Sequence, residues 1–91
     1  MELNIEKIIE LYGENSVYIL KENIDEISKN LGFLEMLGFE DTLDILECYP
    51  YLFLKEPSVF QEKVKGLMQK LGVESIEKLS NNMSLWGDIC D

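Results

Sequence analysis

The chain has no histidine, arginine or alanine; all eight of its basic residues are lysines. Without histidine, no side chain ordinarily titrates near pH 7, and the usual general base and the commonest metal ligand are missing. Without arginine there is no planar fork for bidentate contact with phosphate or guanine. Only two cysteines are present, Cys48 and Cys90, and they form no C-x-x-C pair. They read as two reduced thiols of a cytoplasmic protein, not as a metal site or a disulfide framework. Pro and Gly are few, and there is no linker or low-complexity stretch. No apolar run approaches the roughly 18 residues of a membrane span. Met1-Glu2-Leu3-Asn4-Ile5-Glu6-Lys7 lacks the basic start and apolar run of a secretory signal. The expectation is a cytoplasmic protein without a membrane segment.

What is present is acid and apolar side chain. Eighteen carboxylates against eight lysines give a net charge of −10, and 46% of the 91 residues are apolar. That composition makes one small globular domain with a modest core. The negative charge repels polyanions, so direct nucleic-acid binding is disfavoured.

The chain also repeats itself. Glu22–Phe39 slides onto Glu56–Val73 without a gap, a spacing of about 34 residues. Glu22, Lys29, Gly32, Leu37 and Gly38 fall on Glu56, Lys63, Gly66, Leu71 and Gly72. A period of this size predicts stacked helical units, each unable to bury its apolar face alone. Val17-Tyr18-Ile19-Leu20 and Tyr51-Leu52-Phe53-Leu54 are both followed by Lys-Glu, which marks a partial copy at the N-terminal end. The repeats are therefore 3–21 (partial), 22–55 and 56–89 of a single domain. The fold class is all-α: a short right-handed stack of helical hairpins with about five to six helices.

Local signals place the elements. Ile5, Ile8, Ile9 and Tyr12 follow helical spacing, with Asn4 to cap the start and Gly13 to end it. Val17–Leu20 is rich in β-formers but has no strand to pair with; it reads as buried loop or a short helical turn. Asn23 caps a helix running to about Leu37, with Ile24, Ile27, Leu31 and Leu34 as its stripe. Gly32 and Gly66, at the same place in both copies, predict close approach by a neighbouring backbone. Leu37-Gly38-Phe39 and Leu71-Gly72-Val73 each predict a helix end whose last apolar residue folds back. Asp41 starts the next helix and Pro50 stops it. Pro57 opens another, with Ser58 and Gln61 matching a capping box. Ser75 begins a helix ending at Asn81-Asn82, and Met83–Ile89 adds a last short one.

Tyr49-Pro50-Tyr51-Leu52-Phe53-Leu54, then Pro57, then a helix ending Leu71-Gly72-Val73, resembles the mitochondrial transcription termination factor repeat. Pro50 and Leu52 match its proline and leucine, and the two Leu-Gly junctions match its own. The resemblance covers about Asn23 to Trp86 and implies an α-helical repeat fold. Met83 stands where a second proline is expected. The family's basic concave surface for duplex nucleic acid has no counterpart in a chain of net charge −10.

Three groups of residues are candidates for function. Glu2, Glu6, Glu10 and Glu14 recur every fourth residue, which on a helix makes a drifting acidic ridge. Glu40, Asp41, Asp44 and Glu47 form a second cluster, most of it in a helix's first turns, where the dipole favours anions. Trp86 either closes the core or anchors a partner. Tyr49, Tyr51, Phe53 and Phe60 read as core. No catalytic, cofactor-binding or metal-binding constellation is present: there is no phosphate loop, nucleophile elbow or thiol–imidazole pair. The leading expectation is a non-enzymatic protein–protein interaction module with a basic partner. Alternatives are an inhibitor that imitates nucleic acid, or nucleic-acid binding through Lys55, Lys63, Lys65 and Lys70. Self-association through Trp86 or Ile5 is also open.

Overall fold

A computed structural model describes residues 5–90. Among these there are six α-helices and two 3-10 helices, and no strand. They are α1 (Ile5–Tyr12), α2 (Asn15–Glu22), α3 (Ile24–Leu37), α4 (Thr42–Cys48), a first 3-10 helix (Pro50–Leu54), α5 (Pro57–Leu71), α6 (Ser75–Asn81) and a second 3-10 helix (Met83–Ile89). Long helix, short helix, 3-10 helix is an order that occurs twice, at 24–54 and again at 57–89. The all-helical expectation holds.

Glycine and proline set the boundaries. Gly13, Gly38 and Gly72 have φ of 90°, 108° and 89°, the left-handed region that L side chains avoid, and each follows a helix. Pro57 occupies the first turn of α5, where a missing N–H costs nothing. Pro50 opens the first 3-10 helix directly after α4, as expected of a residue that disfavours helix before it.

Five local expectations fail in whole or in part; one is the fold-back of Val73 after Leu71-Gly72, since Val73 is fully exposed. Val17–Leu20 lies inside α2, which is a full eight residues long, and Tyr18 and Ile19 face outward with 68% and 37% exposure. Only Ser16 and Leu20 of that helix are buried. The Ser58–Gln61 capping box does not form: Glu56 is the N-cap residue of α5 and makes no side-chain cap bond, which leaves Ser58 inside the helix. Asn23 does not cap α3 with its side chain; its Nδ2 donates to the Ile19 carbonyl at 2.8 Å and so closes α2 instead. Gly32 and Gly66 meet no neighbour at all, because a Cβ added at either finds nothing within 4 Å. Both glycines sit on the outer faces of their helices, so no close backbone approach explains them. Asn4, the expected cap of α1, lies outside the described residues.

The core runs through both the 24–54 and the 57–89 segments. Leu34 of α3, Leu46 of α4, Leu52 and Phe53 of the first 3-10 helix, Phe60 and Val64 of α5, Leu79 of α6 and Trp86 are fully buried. Phe53 and Phe60 pack with ring centroids 5.1 Å apart, and Phe33 meets Phe60 edge-on at 6.3 Å. The helix α3 is central: it contacts α2, α4, α5 and the first 3-10 helix. Polar residues are also built into this core, Asn30 the most central of them. Asn30 is fully buried, and its Nδ2 donates to the Phe53 and Lys55 carbonyls, both at 3.0 Å. These bonds hold the first 3-10 helix against α3 and satisfy carbonyls at its end, where buried orphans are costly.

Candidate functional site

The α1 carboxylates are exposed, but they do not make one continuous ridge. Glu6 and Glu10 lie on α1, one turn apart. Gly13 then breaks the helix with its positive φ, and Glu14 stands at the N-cap position of α2. The four-residue spacing therefore holds for only part of the predicted row, because a ridge needs an unbroken helix. Glu2 lies outside the described residues.

The second cluster divides by burial. Glu40, Asp41 and Asp44 are exposed, whereas Glu47 is only 9% exposed. Glu47 lies 3.8 Å from the Lys7 ammonium, which ties α4 to α1. It is therefore a packing residue, not part of an open acidic surface. Trp86 is fully buried and lies 5.4 Å from Phe39, centroid to centroid. It closes the core, and the reading of Trp86 as a surface anchor is set aside. The side chain of Ile5 lies outside what is described. Phe53 and Phe60 are core as expected, but Tyr51 is 43% exposed and packs edge-on against Tyr12 at 5.5 Å.

Around Tyr12, α1 meets α4. The Tyr12 hydroxyl donates to the Cys48 carbonyl, and the Lys7 ammonium stands 3.8 Å from the Cys48 sulfur. Burial pushes the Tyr12 and Tyr49 phenols above their usual range, and the nearby Cys90 and Cys48 thiols add to the effect in both. Both thiols are unbridged and half-buried.

A concavity that sequence reasoning missed lies where the two Leu-Gly junctions meet. It is a groove of about 630 Å³ reaching from Gly38, Glu40 and Asp41 on one corner to Val73–Glu77 on the other. Met68 and Ile76 line it as half-buried apolar residues, and Val73 is fully exposed to it. The two corners are in contact: a Cβ on Gly38 would sit 3.6 Å from the Ile76 Cδ1. Four carboxylates line the groove, Glu40, Asp41, Glu74 and Glu77, and no lysine does. Asp41 and Glu74 are the N-cap residues of α4 and α6, yet neither makes a side-chain cap bond. Among the described residues, no group of three or more acids or thiols is placed to hold a metal ion. No described helix is long and apolar enough to cross a membrane. The signal for this groove was present in the sequence as the paired Gly-x-Glu junctions, Gly38-Phe39-Glu40 and Gly72-Val73-Glu74, but nothing local says that they face each other.

Comparison with protein-family models, with curated proteins and with solved structures finds no match for this chain.

Proposed function

We propose that this chain is a small non-enzymatic interaction module that binds another protein through basic groups on the partner's surface. The observation that carries this reading is exposure: Glu6, Glu10, Glu14, Glu40, Asp41 and Asp44 all face outward on a body of net charge −10. A surface of one sign attracts a partner of the other and speeds encounter. The recurring order of long helix, short helix and 3-10 helix supports the further proposal of a short right-handed stack of helical hairpins.

Two observations weigh against the alternatives. Imitation of nucleic acid calls for long carboxylate rows, and the predicted row is interrupted at Gly13. Binding of nucleic acid calls for a lysine face free of acids, but Lys70 stands 3.9 Å from Asp88, and Lys55 and Lys63 are half-buried.

The test is capture of partners from cytosol on the immobilised chain. Capture is expected at roughly 0.05 M salt and lost at roughly 0.5 M, where exposed charges are screened within a few ångströms. A variant with Glu6, Glu10 and Glu14 changed to Gln, Glu40 to Gln, and Asp41 and Asp44 to Asn should capture the same partners poorly. Equal capture by both chains, unaffected by salt, would remove the acidic surface from the function.

A further inference from the structure

The groove between the two Leu-Gly junctions combines two features that usually occur apart. Its floor is apolar, made by half-buried Met68 and Ile76, and Val73 stands fully exposed at its edge. Its charged lining residues are all carboxylates, Glu40 and Asp41 on one corner and Glu74 and Glu77 on the other, with Ser75 and Ser80 also lining it. The acids have an ordinary role open to them, capping helix starts, but Asp41 and Glu74 make no such bond. They do not converge on a metal ion either, since no described group of three or more acids is suitably placed. The groove is open to solvent along its length, with a volume of about 630 Å³, so an extended segment can lie in it.

One kind of side chain matches this pattern. Lysine and arginine have an apolar stem and a cationic head, and they lay the stem on apolar surface while the head stays at the polar edge. We propose that the groove seats a basic, partly apolar segment of a partner protein. Its lysine or arginine stems lie on Met68, Val73 and Ile76, and its charged heads stand against Glu40, Asp41, Glu74 and Glu77. A second copy of this chain is a poor occupant, because it too carries a net charge of −10. The proposal rests on the reading of a basic partner and adds where that partner docks and what it must carry.

The experiment uses the full chain, labelled with nitrogen-15, and three synthetic peptides: one alternating lysine and leucine, one of lysine alone, and one alternating glutamate and leucine. Amide shifts are followed at low salt. The lysine–leucine peptide is expected to move the signals of Gly38, Glu40, Asp41 and Val73–Glu77, and to bind more tightly than lysine alone. Changing Glu40, Glu74 and Glu77 together to Gln should weaken it about tenfold, the sum expected for a few exposed ion pairs. Val73→Ser should weaken it several-fold and leave urea unfolding unchanged, which separates binding from folding. Shifts confined to Glu6, Glu10 and Glu14 would overturn the groove while leaving the basic-partner reading intact. Equal binding of lysine alone would overturn the apolar floor, and equal binding of the glutamate–leucine peptide would overturn the carboxylate walls. Groove signals that move with protein concentration alone would assign it to a second copy and overturn the proposal. No binding of any basic peptide would sink both readings together.

Discussion

Leu37-Gly38-Phe39 and Leu71-Gly72-Val73 stand at corresponding places in two copies of one pattern, yet they end their helices differently. At the first, the Phe39 amide bonds the Leu34 carbonyl at 3.1 Å and the Gly38 amide bonds that of Glu35, also at 3.1 Å. Gly38 has ψ of 8°, and the chain folds back so that Phe39 is 4% exposed against Trp86. This is a Schellman-like stop with its hydrophobic contact made. At the second, the Gly72 amide bonds the Met68 carbonyl at 2.9 Å, but ψ is −154° and the chain leads away. Val73 is left wholly exposed. The glycine stops the helix in both; what lies nearby decides whether the next residue is buried. At the first corner Trp86 supplies a partner. At the second, the chain's apolar residue is left at the edge of an acid-lined groove.

The largest expected effect tests this difference directly. Phe39→Ala should cost about 3–5 kcal/mol, as for other buried aromatics. Val73→Ala should fall within about 0.5 kcal/mol of zero, as surface changes do. Urea denaturation measures both. Similar costs at the two sites would erase the distinction.

The next effect concerns the corresponding helices. Asn30 holds the Phe53 and Lys55 carbonyls; the same position in the second copy is Val64, also fully buried. Asn30→Val should cost about 1–3 kcal/mol by orphaning buried carbonyls. Val64→Asn should cost a similar amount by burying an amide without a designed partner, again about 1–3 kcal/mol. If either exchange is neutral in urea denaturation, the two cores are interchangeable and the polar pin is incidental.

Glycine substitutions sharpen the comparison further. Gly72, with φ 89° and ψ −154°, lies where almost only glycine goes, so Gly72→Ala should cost about 1–3 kcal/mol. Gly38→Ala, in the milder left-handed region, should cost about 1–2 kcal/mol. Gly32→Ala and Gly66→Ala should each stabilise by about 0.4–1 kcal/mol, because a methyl there meets open space within a helix. Thermal unfolding of the four single variants should therefore show two losses and two gains. A loss at Gly32 or Gly66 would reinstate the close approach that the pattern implied.

The smallest effect is in alkali. Tyr49 has Met83 as its counterpart in the second copy, so only the first copy carries a phenol, half-buried, at this position. Both Tyr12 and Tyr49 are raised above 10.0 by burial, so the folded state holds its phenolic protons longer than the unfolded chain does. Their stabilising contribution is complete below pH 10 and declines as pH rises through the unfolded value towards the folded one. Denaturation midpoints above pH 10 should fall less steeply for Tyr12→Phe and Tyr49→Phe than for the parent chain. An unchanged slope would mean that other groups govern alkaline unfolding.

Much of the fold could be read from residues a few positions apart. Ile8, Ile27, Leu31 and Leu34 mark inward faces by spacing alone, and Gly13, Gly38, Gly72, Pro50 and Pro57 mark ends by what their backbones permit. Such rules fail where tertiary neighbours decide. Val17–Leu20 looks like buried chain, yet Tyr18 and Ile19 face outward because α2 has only one packed side. Asn30 gave no local sign of burial, since its partners are carbonyls far along the chain. Glu47 looks like one more surface acid until Lys7 is brought beside it.

For this chain, then, period, glycine and proline determined an all-helical fold and most of its boundaries, and composition determined its charge. The reason is that helix formation and termination depend on atoms within a turn or two. Tertiary structure alone decided that Phe39 is covered and Val73 is not, that Trp86 is core, and that Glu40 and Asp41 share a groove with Glu74 and Glu77. Burial and electrostatic neighbourhood are properties of surfaces brought together by folding, and no spacing along the chain encodes which surfaces will meet.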